Sequence, residues 1–415
     1  MGMHVIKTHP KSSLRKPNHG LVNMGMALVL AVLATWAAAI TPVQAQTAQG
    51  AEPQQVKKPT KPKAQPAPTK TQQRKKNALP KKQGARPARL AAVTGMPLAS
   101  SALTQAWVQD AAQRLQLDPI WVQNTLAQAQ RLPSVERLVL PPSSPTAKNW
   151  AAYRARFIEP IRIQAGVRFW QNNRNALLRA EREYGVPASV IVGIIGVETL
   201  YGQNTGNFRI LDALATLAFH FPSAHPRAAA RQAFFQSELE QFLLLTSRSG
   251  ADPLNIRGSY AGAMGLPQFM PSSWAKFAVD FDGDGRIDLF GSPTDAIGSV
   301  ANYFKAFGWQ SGMPTHYPVT LTPGQSNMDS LLAPDILPTF SVASFVGQGA
   351  ALSGAALLHQ GPLALIELLN GPDAPSYVAG TENFYAITRY NWSSYYAMAV
   401  IELAEAVARE MQGKP

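Results

Sequence analysis

Past residue 98 the apolar positions recur at helical spacing. Leu103, Trp107, Ala111 and Leu115 fall four residues apart, as one face of a helix requires. The same reading predicts helices over 166–184, 187–201, 232–247, 295–307 and 396–411. Asp295 is placed to cap the helix over 295–307, with Ile297, Val300, Ala301 and Phe304 on its buried face and Gly308 at its end. Between 317 and 390 the pattern changes to short apolar runs broken by Gly and Pro. Ala364-Leu365-Ile366-Glu367-Leu368 before Asn370-Gly371 is one of them, and the region reads as a small β element in a mainly α (α+β) protein. There is no internal repeat, and residues 96–415 read as one multi-lobed unit.

The first 95 residues follow no such pattern. Lys7, Lys11, Arg15 and Lys16 precede an apolar run from Met24 to Ile40, and Val43-Gln44-Ala45 suits a signal peptidase. Residues 1–45 therefore read as an export signal cleaved after Ala45, leaving a periplasmic protein; an uncleaved inner-membrane anchor is the other reading of this short run. Residues 46–95, rich in Pro, Lys, Gln, Ala and Thr, cannot bury enough apolar surface to fold, and they predict an extended basic linker. Such a tail would either contact anionic wall or membrane material or serve as a solvated spacer.

Charge follows the same division. Residues 1–90 carry 16 Lys/Arg and a single acid, Glu52, whereas the remainder carries 22 Lys/Arg and 24 Asp/Glu. The net +13 thus belongs to the leader and linker, and the near-neutral remainder argues against a nucleic-acid partner. With no cysteine, the chain has no disulfide, thiol nucleophile, Cys-based zinc site or lipid-attachment cysteine. His220, His225, His316 and His359 are scattered and form no ligand motif.

Four segments carry candidate chemistry. In Val190-Ile191-Val192-Gly193-Ile194-Ile195-Gly196-Val197-Glu198-Thr199-Leu200-Tyr201-Gly202, Glu198 is the only charge in an apolar helix and falls in its last turn, with Gly202 as the expected cap. Burial and the negative helix end would both raise its pKa, as a general acid near neutral pH requires. A Glu198 turned to solvent or paired with an arginine is the plainer alternative. Gly258–Trp274 combines three glycines with Gln268, Met and aromatics, a turn-rich loop suited to the side of a carbohydrate cleft. Asp280, Asp282, Asp284 and Asp288 occupy positions 1, 3, 5 and 9 of an EF-hand-like loop, with Gly285 at 6 and the Arg286 carbonyl at 7. Position 12 is Gly291, so a closing ligand must come from elsewhere, and Asp295 is the nearest candidate; an unliganded acidic turn is the alternative. Asn383–Tyr396 interleaves six aromatics with Asn, Arg and Ser, which fits a sugar-binding wall or core packing alike.

Together these segments resemble the membrane-bound lytic murein transglycosylase B family, glycoside hydrolase family 103. Gly-Val-Glu-Thr at 196–199, Gly-Ala-Met-Gly-x-x-Gln-Phe-Met-Pro-Ser at 262–272, Asp-Ala-Ile-Gly-Ser-Val-Ala-Asn-Tyr-Phe at 295–304 and Thr-Arg-Tyr-Asn at 388–391 carry the resemblance, in order, over about 98–411. It implies a lysozyme-like core with an added helical lobe, a small β lobe and a structural Ca²⁺ held by Asp280, Asp282, Asp284, Arg286, Asp288 and Asp295. It implies Glu198 as sole acid/base, and Tyr153, Ser259, Gln268, Tyr390 and Tyr396 along a saccharide groove, with Arg231 near the peptide or muramoyl groups. Phe234 stands where relatives can carry a cleft tyrosine, and 223–229 is an insertion. The expected activity is cleavage of peptidoglycan glycan strands by a monomer, with formation of 1,6-anhydromuramoyl ends and no catalytic cofactor. A hydrolytic muramidase and an inactive peptidoglycan-binding scaffold are the rival readings.

Overall fold

The computed structural model describes residues 95–98, 102–141 and 148–413. The export segment and nearly all of the basic linker lie outside the described residues. The chain starts with a short strand β1 (Met96–Pro97), α1 (Ala102–Leu115), α2 (Pro119–Ala127), β2 (Gln130–Arg131) and α3 (Pro133–Leu138). Next come α4 (Trp150–Arg154), α5 (Pro160–Asn172), α6 (Arg174–Tyr184) and α7 (Ala188–Thr199). The single helix expected over 166–184 is therefore two, which meet at Asn173. That residue leaves helical geometry and donates its side-chain amide to the Phe169 carbonyl at 2.8 Å. Polar groups fix the starts: Asp118 accepts from Ile120 N before α2, and Glu159 from Ile161 N and Arg162 N before α5.

Helix α7 is the centre of the molecule. Nearly every side chain from Ala188 to Thr199 is buried, as a helix that is apolar all round must be. Ile191, Ile194 and Ile195 are fully buried, each contributing roughly 1.5–3 kcal/mol of transfer free energy. The C-terminal helix α15 (Ser394–Gln412) packs along it. A Cβ on Gly193 would lie 2.6 Å from the Val400 carbonyl oxygen, so this glycine sets how closely the two helices approach.

Around this pair lie β3 (Phe208–Arg209), α8 (Ile210–Phe219), α9 (Ala228–Ser249), β4 (Arg257–Gly258), α10 (Pro271–Phe277) and α11 (Pro293–Ala306). Helix α11 starts two residues before the expected 295. Ser292 is its cap, and Asp295 is used differently.

The predicted β element forms a lobe from β5 (His316–Pro318), β6 (Thr320–Leu321), α12 (Met328–Leu332), α13 (Val342–Gly347), β7 (Ala350–Ala351), β8 (Ala364–Asn370) and β9 (Asp373–Gly380). Its main sheet is antiparallel in the order β5-β9-β8. Strand β8 is apolar on both faces because it serves two cores. Leu365 joins a small cluster with Leu331, Phe345 and Leu363, whereas Ala364, Ile366 and Leu368 join the main one. The end of the region read as β is in fact helical, α14 (Glu382–Tyr390), capped by Thr381. Among the described residues no helix is long and apolar enough to cross a membrane.

Candidate active site

Glu198 is the penultimate residue of α7 and is 2% exposed. The helix stops at Thr199, earlier than the expected 201. Leu200 (φ 49°) and Tyr201 (φ 58°) are left-handed ahead of Gly202 (φ 86°), and the two non-glycine residues each cost about 1 kcal/mol or more. Contacts from other elements hold this turn. Thr199 Oγ1 donates to the Leu266 carbonyl at 2.9 Å, and Arg162 of α5 donates to the Gly196 carbonyl at 2.5 Å. A guanidinium at the negative end of α7 offsets its dipole.

Within that frame Glu198 Oε1 accepts a 2.5 Å hydrogen bond from the Tyr396 hydroxyl, and Oε2 has no hydrogen-bond partner among the described residues. Burial pushes the carboxyl up to about 8; the Tyr396 bond pulls the other way and is outweighed. The Glu198 charge in turn helps hold the hydroxyls of Tyr153, Tyr303, Tyr390 and Tyr396 above their ordinary range, with burial the larger cause for each. The site is thus a solitary carboxyl among tyrosines that remain donors. The other buried carboxylates of the described residues have structural work: Asp212 accepts from Gln130 N and Arg209, Glu238 from Ser272 N and Oγ, and Asp295 from backbone N–H groups.

Segment 258–270 packs against this end of α7. Gly265 (φ 71°) admits no side chain, since a Cβ would lie 2.5 Å from the Leu289 carbonyl oxygen. Gln268 is itself left-handed (φ 51°) and donates to the Thr205 and Gly265 carbonyls at 3.1 and 2.9 Å, while its Oε1 is buried without a partner. Ser259 Oγ accepts from Ala263 N at 2.9 Å, and Tyr390 donates to the Pro267 carbonyl at 2.6 Å.

In the acidic loop, Asp280, Asp282 and Asp284 are exposed, and each offers an oxygen within 4.8 Å of the others. Hard oxygen donors so grouped fit a calcium ion. Their positions are set by the backbone: Asp280 accepts from Gly283 N and Gly285 N, and Asp284 from Arg286 N. Asp288 and Asp295 fall outside this group of three. Asp288 accepts from Phe290 N and Gly291 N, and Asp295 laces the loop from inside by accepting from Phe281, Asp282 and Asp288 N–H.

Comparison with known proteins places this arrangement. A family model described as "Transglycosylase SLT domain" matches residues 100–405. The chain belongs to the SLT-domain lytic transglycosylases. It is 44% identical over 328 residues to membrane-bound lytic murein transglycosylase B of Escherichia coli strain K12, covering 76% of this chain and 85% of that protein. The soluble lytic transglycosylase SltB1 of Pseudomonas aeruginosa matches with TM-score 0.68 and 41% identity over 75% of this chain and all of its own. The E. coli lytic transglycosylase Slt35, solved in complex with calcium, matches with TM-score 0.67 and 42% identity over 78% of this chain and 98% of its own. This lytic transglycosylase shares their mainly helical, lysozyme-like fold.

The residues singled out in the sequence of this transglycosylase divide into two sets. Tyr396 and Tyr390 stack at 14° with centroids 6.4 Å apart, and both hydroxyls are engaged inside the protein, as is Ser259. Tyr153 Oη, Gln268 Oε1 and Arg231 Nη1 are instead buried without a partner among the described residues. Arg231 lies on α9, where burial and Arg227 push its guanidinium down to about 10; Tyr260 is the nearby counterweight. Phe234 packs edge-on against Phe235. Sequence reasoning missed Tyr303, which adjoins Tyr390 at 4.8 Å, and Asn391, 1% exposed with neither amide atom bonded to a described residue. Both stand inside quoted motifs, and helical periodicity alone assigned Tyr303 to no face.

Proposed function

We propose that this transglycosylase cleaves the β-1,4 bond between N-acetylmuramic acid and N-acetylglucosamine in peptidoglycan, leaving 1,6-anhydromuramoyl ends, with Glu198 as its single acid/base. One observation carries the reading: a buried carboxyl with one oxygen held by Tyr396 and the other unpartnered. With the neutral carboxyl favoured up to about pH 8, Oε2 carries the proton and gives it to the glycosidic oxygen as the bond breaks. The 2-acetamido group of the substrate stabilises the oxocarbenium-like centre. Glu198, now a carboxylate still accepting from Tyr396, takes the proton of the muramoyl C6 hydroxyl as that oxygen closes on C1. The acid is regenerated and no water is consumed. A two-carboxylate mechanism has no support here, because the remaining buried acids are engaged elsewhere.

Tyr153, Gln268 and Arg231, with polar atoms unpartnered, are the groups proposed to touch substrate directly. Ser259 and Tyr390 shape the groove, and Tyr396 holds Glu198. Asp280, Asp282 and Asp284, with the Arg286 carbonyl and Asp288, are the proposed ligands of a Ca²⁺ that rigidifies the loop and takes no part in bond cleavage; Asp295 acts from behind as a backbone brace. Export to the periplasm, with the 46–95 tail contacting anionic wall material in a salt-dependent way, completes the reading. Mass analysis of products from purified glycan strands tests it. Chains ending one water lighter than hydrolysed strands support transglycosylation, and fully hydrated ends would make the protein a muramidase.

A further inference from the structure

At the joint between the β lobe and the active-site aromatics lies a pocket of about 140 Å³ whose lining includes Lys148, Asp335, Glu367, Leu369, Ser394 and Tyr395. A single water needs only ~10–15 Å³ on this measure, so an amino-acid-sized group fits. The walls are fastened together. Gly371 N donates to the Lys148 carbonyl at 3.1 Å, Asn149 bridges Asn370, and the Tyr395 hydroxyl donates to the Leu369 carbonyl at 2.9 Å. Tyr395 also faces the cleft side, its ring 5.7 Å from that of Tyr153. The pocket therefore adjoins the substrate-binding aromatics.

Lys148 and Asp335 stand exposed at its rim and Glu367 is half-buried, and the three charges are unspent on one another. One cation and two carboxylates line a single small pocket, yet none of the three forms an ion pair with any described residue. Tyr377 donates to Glu367 Oε1 at 3.0 Å, which fixes that side chain and leaves Oε2 free of any hydrogen bond to a described residue. Asp335, with φ 57°, lines the same pocket. A ligand that carries an ammonium and a carboxylate on one carbon would meet the acidic pair with the first and Lys148 with the second.

We infer that this pocket is a specificity subsite for a zwitterionic amino-acid terminus, the end of a diamino acid in the stem peptide of a peptidoglycan strand. The inference rests on the reading of the substrate given above. The glycan lies in the cleft beside Tyr153, and the peptide it carries reaches past Tyr395 into the pocket.

The test compares glycan strands bearing their stem peptides with the same strands after an amidase has removed them. Both are presented to the purified protein and to Glu367→Gln and Lys148→Met. Glu367→Gln keeps an oxygen for Tyr377, and equal melting temperatures verify folding. On peptide-bearing strands each variant should lose about tenfold in kcat/KM through KM, the size of one partly solvated charge-assisted hydrogen bond. On peptide-free strands both should match the parent. Equal losses on the two substrates, or none on either, overturn the inference. So does saturable binding of the free diamino acid by a parent protein that shows no preference for peptide-bearing strands, which would make this a solute site. Failure of the parent protein to cut either substrate would count against the proposed activity instead.

Discussion

Two groups of carboxylates in this molecule meet opposite surroundings. Glu198 stands alone, buried at the end of α7, and its carboxyl is pushed up to about 8. Asp280, Asp282 and Asp284 crowd within 4.8 Å of one another, yet they stand in water, and the Ser292 hydroxyl holds Asp282 below its ordinary range. Crowding like charges should raise a pKa and isolation should not. At Asp282 and Glu198 the outcome is reversed, because solvent and donors decide. Each loop carboxylate accepts N–H groups or a hydroxyl, whereas Glu198 has one phenol and no water-filled surroundings to stabilise its charge. The first environment suits a cation, and the second suits a proton.

Removing the proton carrier should have the largest effect. Glu198→Gln is expected to lower lytic turnover about a thousandfold with folding intact, because the amide preserves shape and cannot deliver a proton. A variant retaining a tenth of the activity in a sacculus-clearing assay would refute the single-acid reading. Next is Tyr396→Phe. Its hydroxyl favours the carboxylate form, so its loss should raise the Glu198 pKa further, move the alkaline limb of kcat above its expected position near pH 8, and lower kcat about tenfold. A limb shifted to lower pH would contradict the assigned bond.

The loop should respond in stability alone. Calcium at a hundredfold excess over its Kd stabilises a folded site by about 2.7 kcal/mol, roughly 4 °C in a fold of this size. Asp280→Ala or a chelator should therefore lower Tm by that order while turnover at 25 °C persists. Identical melting with and without millimolar calcium would remove the ion from the account. The smallest effect separates the two environments by pH. Glu198 holds its proton in the folded state to about 8 and in the unfolded state only to its ordinary 4.5, so the native protein loses stability as pH rises between those values. Glu198→Gln should therefore melt a few degrees above the parent at pH 8.5 and level with it at pH 4. The reverse order would mean that Glu198 is ionised in the fold.

The sequence by itself determined a good deal. The apolar run around Glu198 can only be a buried helix, and periodicity located α9, α11 and α15 to within a few residues. The spacing of Asp280, Asp282 and Asp284 already brought three oxygens together, because a loop of that length is closed by its own N–H groups. Sequence also marked β8 as apolar, but not that its two faces enter two different cores. What only the tertiary structure decided are the relations between distant segments. That Glu198 meets Tyr396, 198 residues away, and not an arginine, depends on α15 lying against α7 at Gly193. Which hydroxyls are engaged internally and which remain open, Tyr390 against Tyr153, depends on carbonyls from loops elsewhere in the chain. Asp295 looked like a cap because Asp commonly caps helices, and Ser292 displaced it because the loop needed a buried acceptor for three backbone N–H groups. Local pattern fixes what a segment must bury; the partner that meets it in the interior fixes its chemistry, since desolvation and hydrogen bonding act through contacts that sequence spacing does not encode.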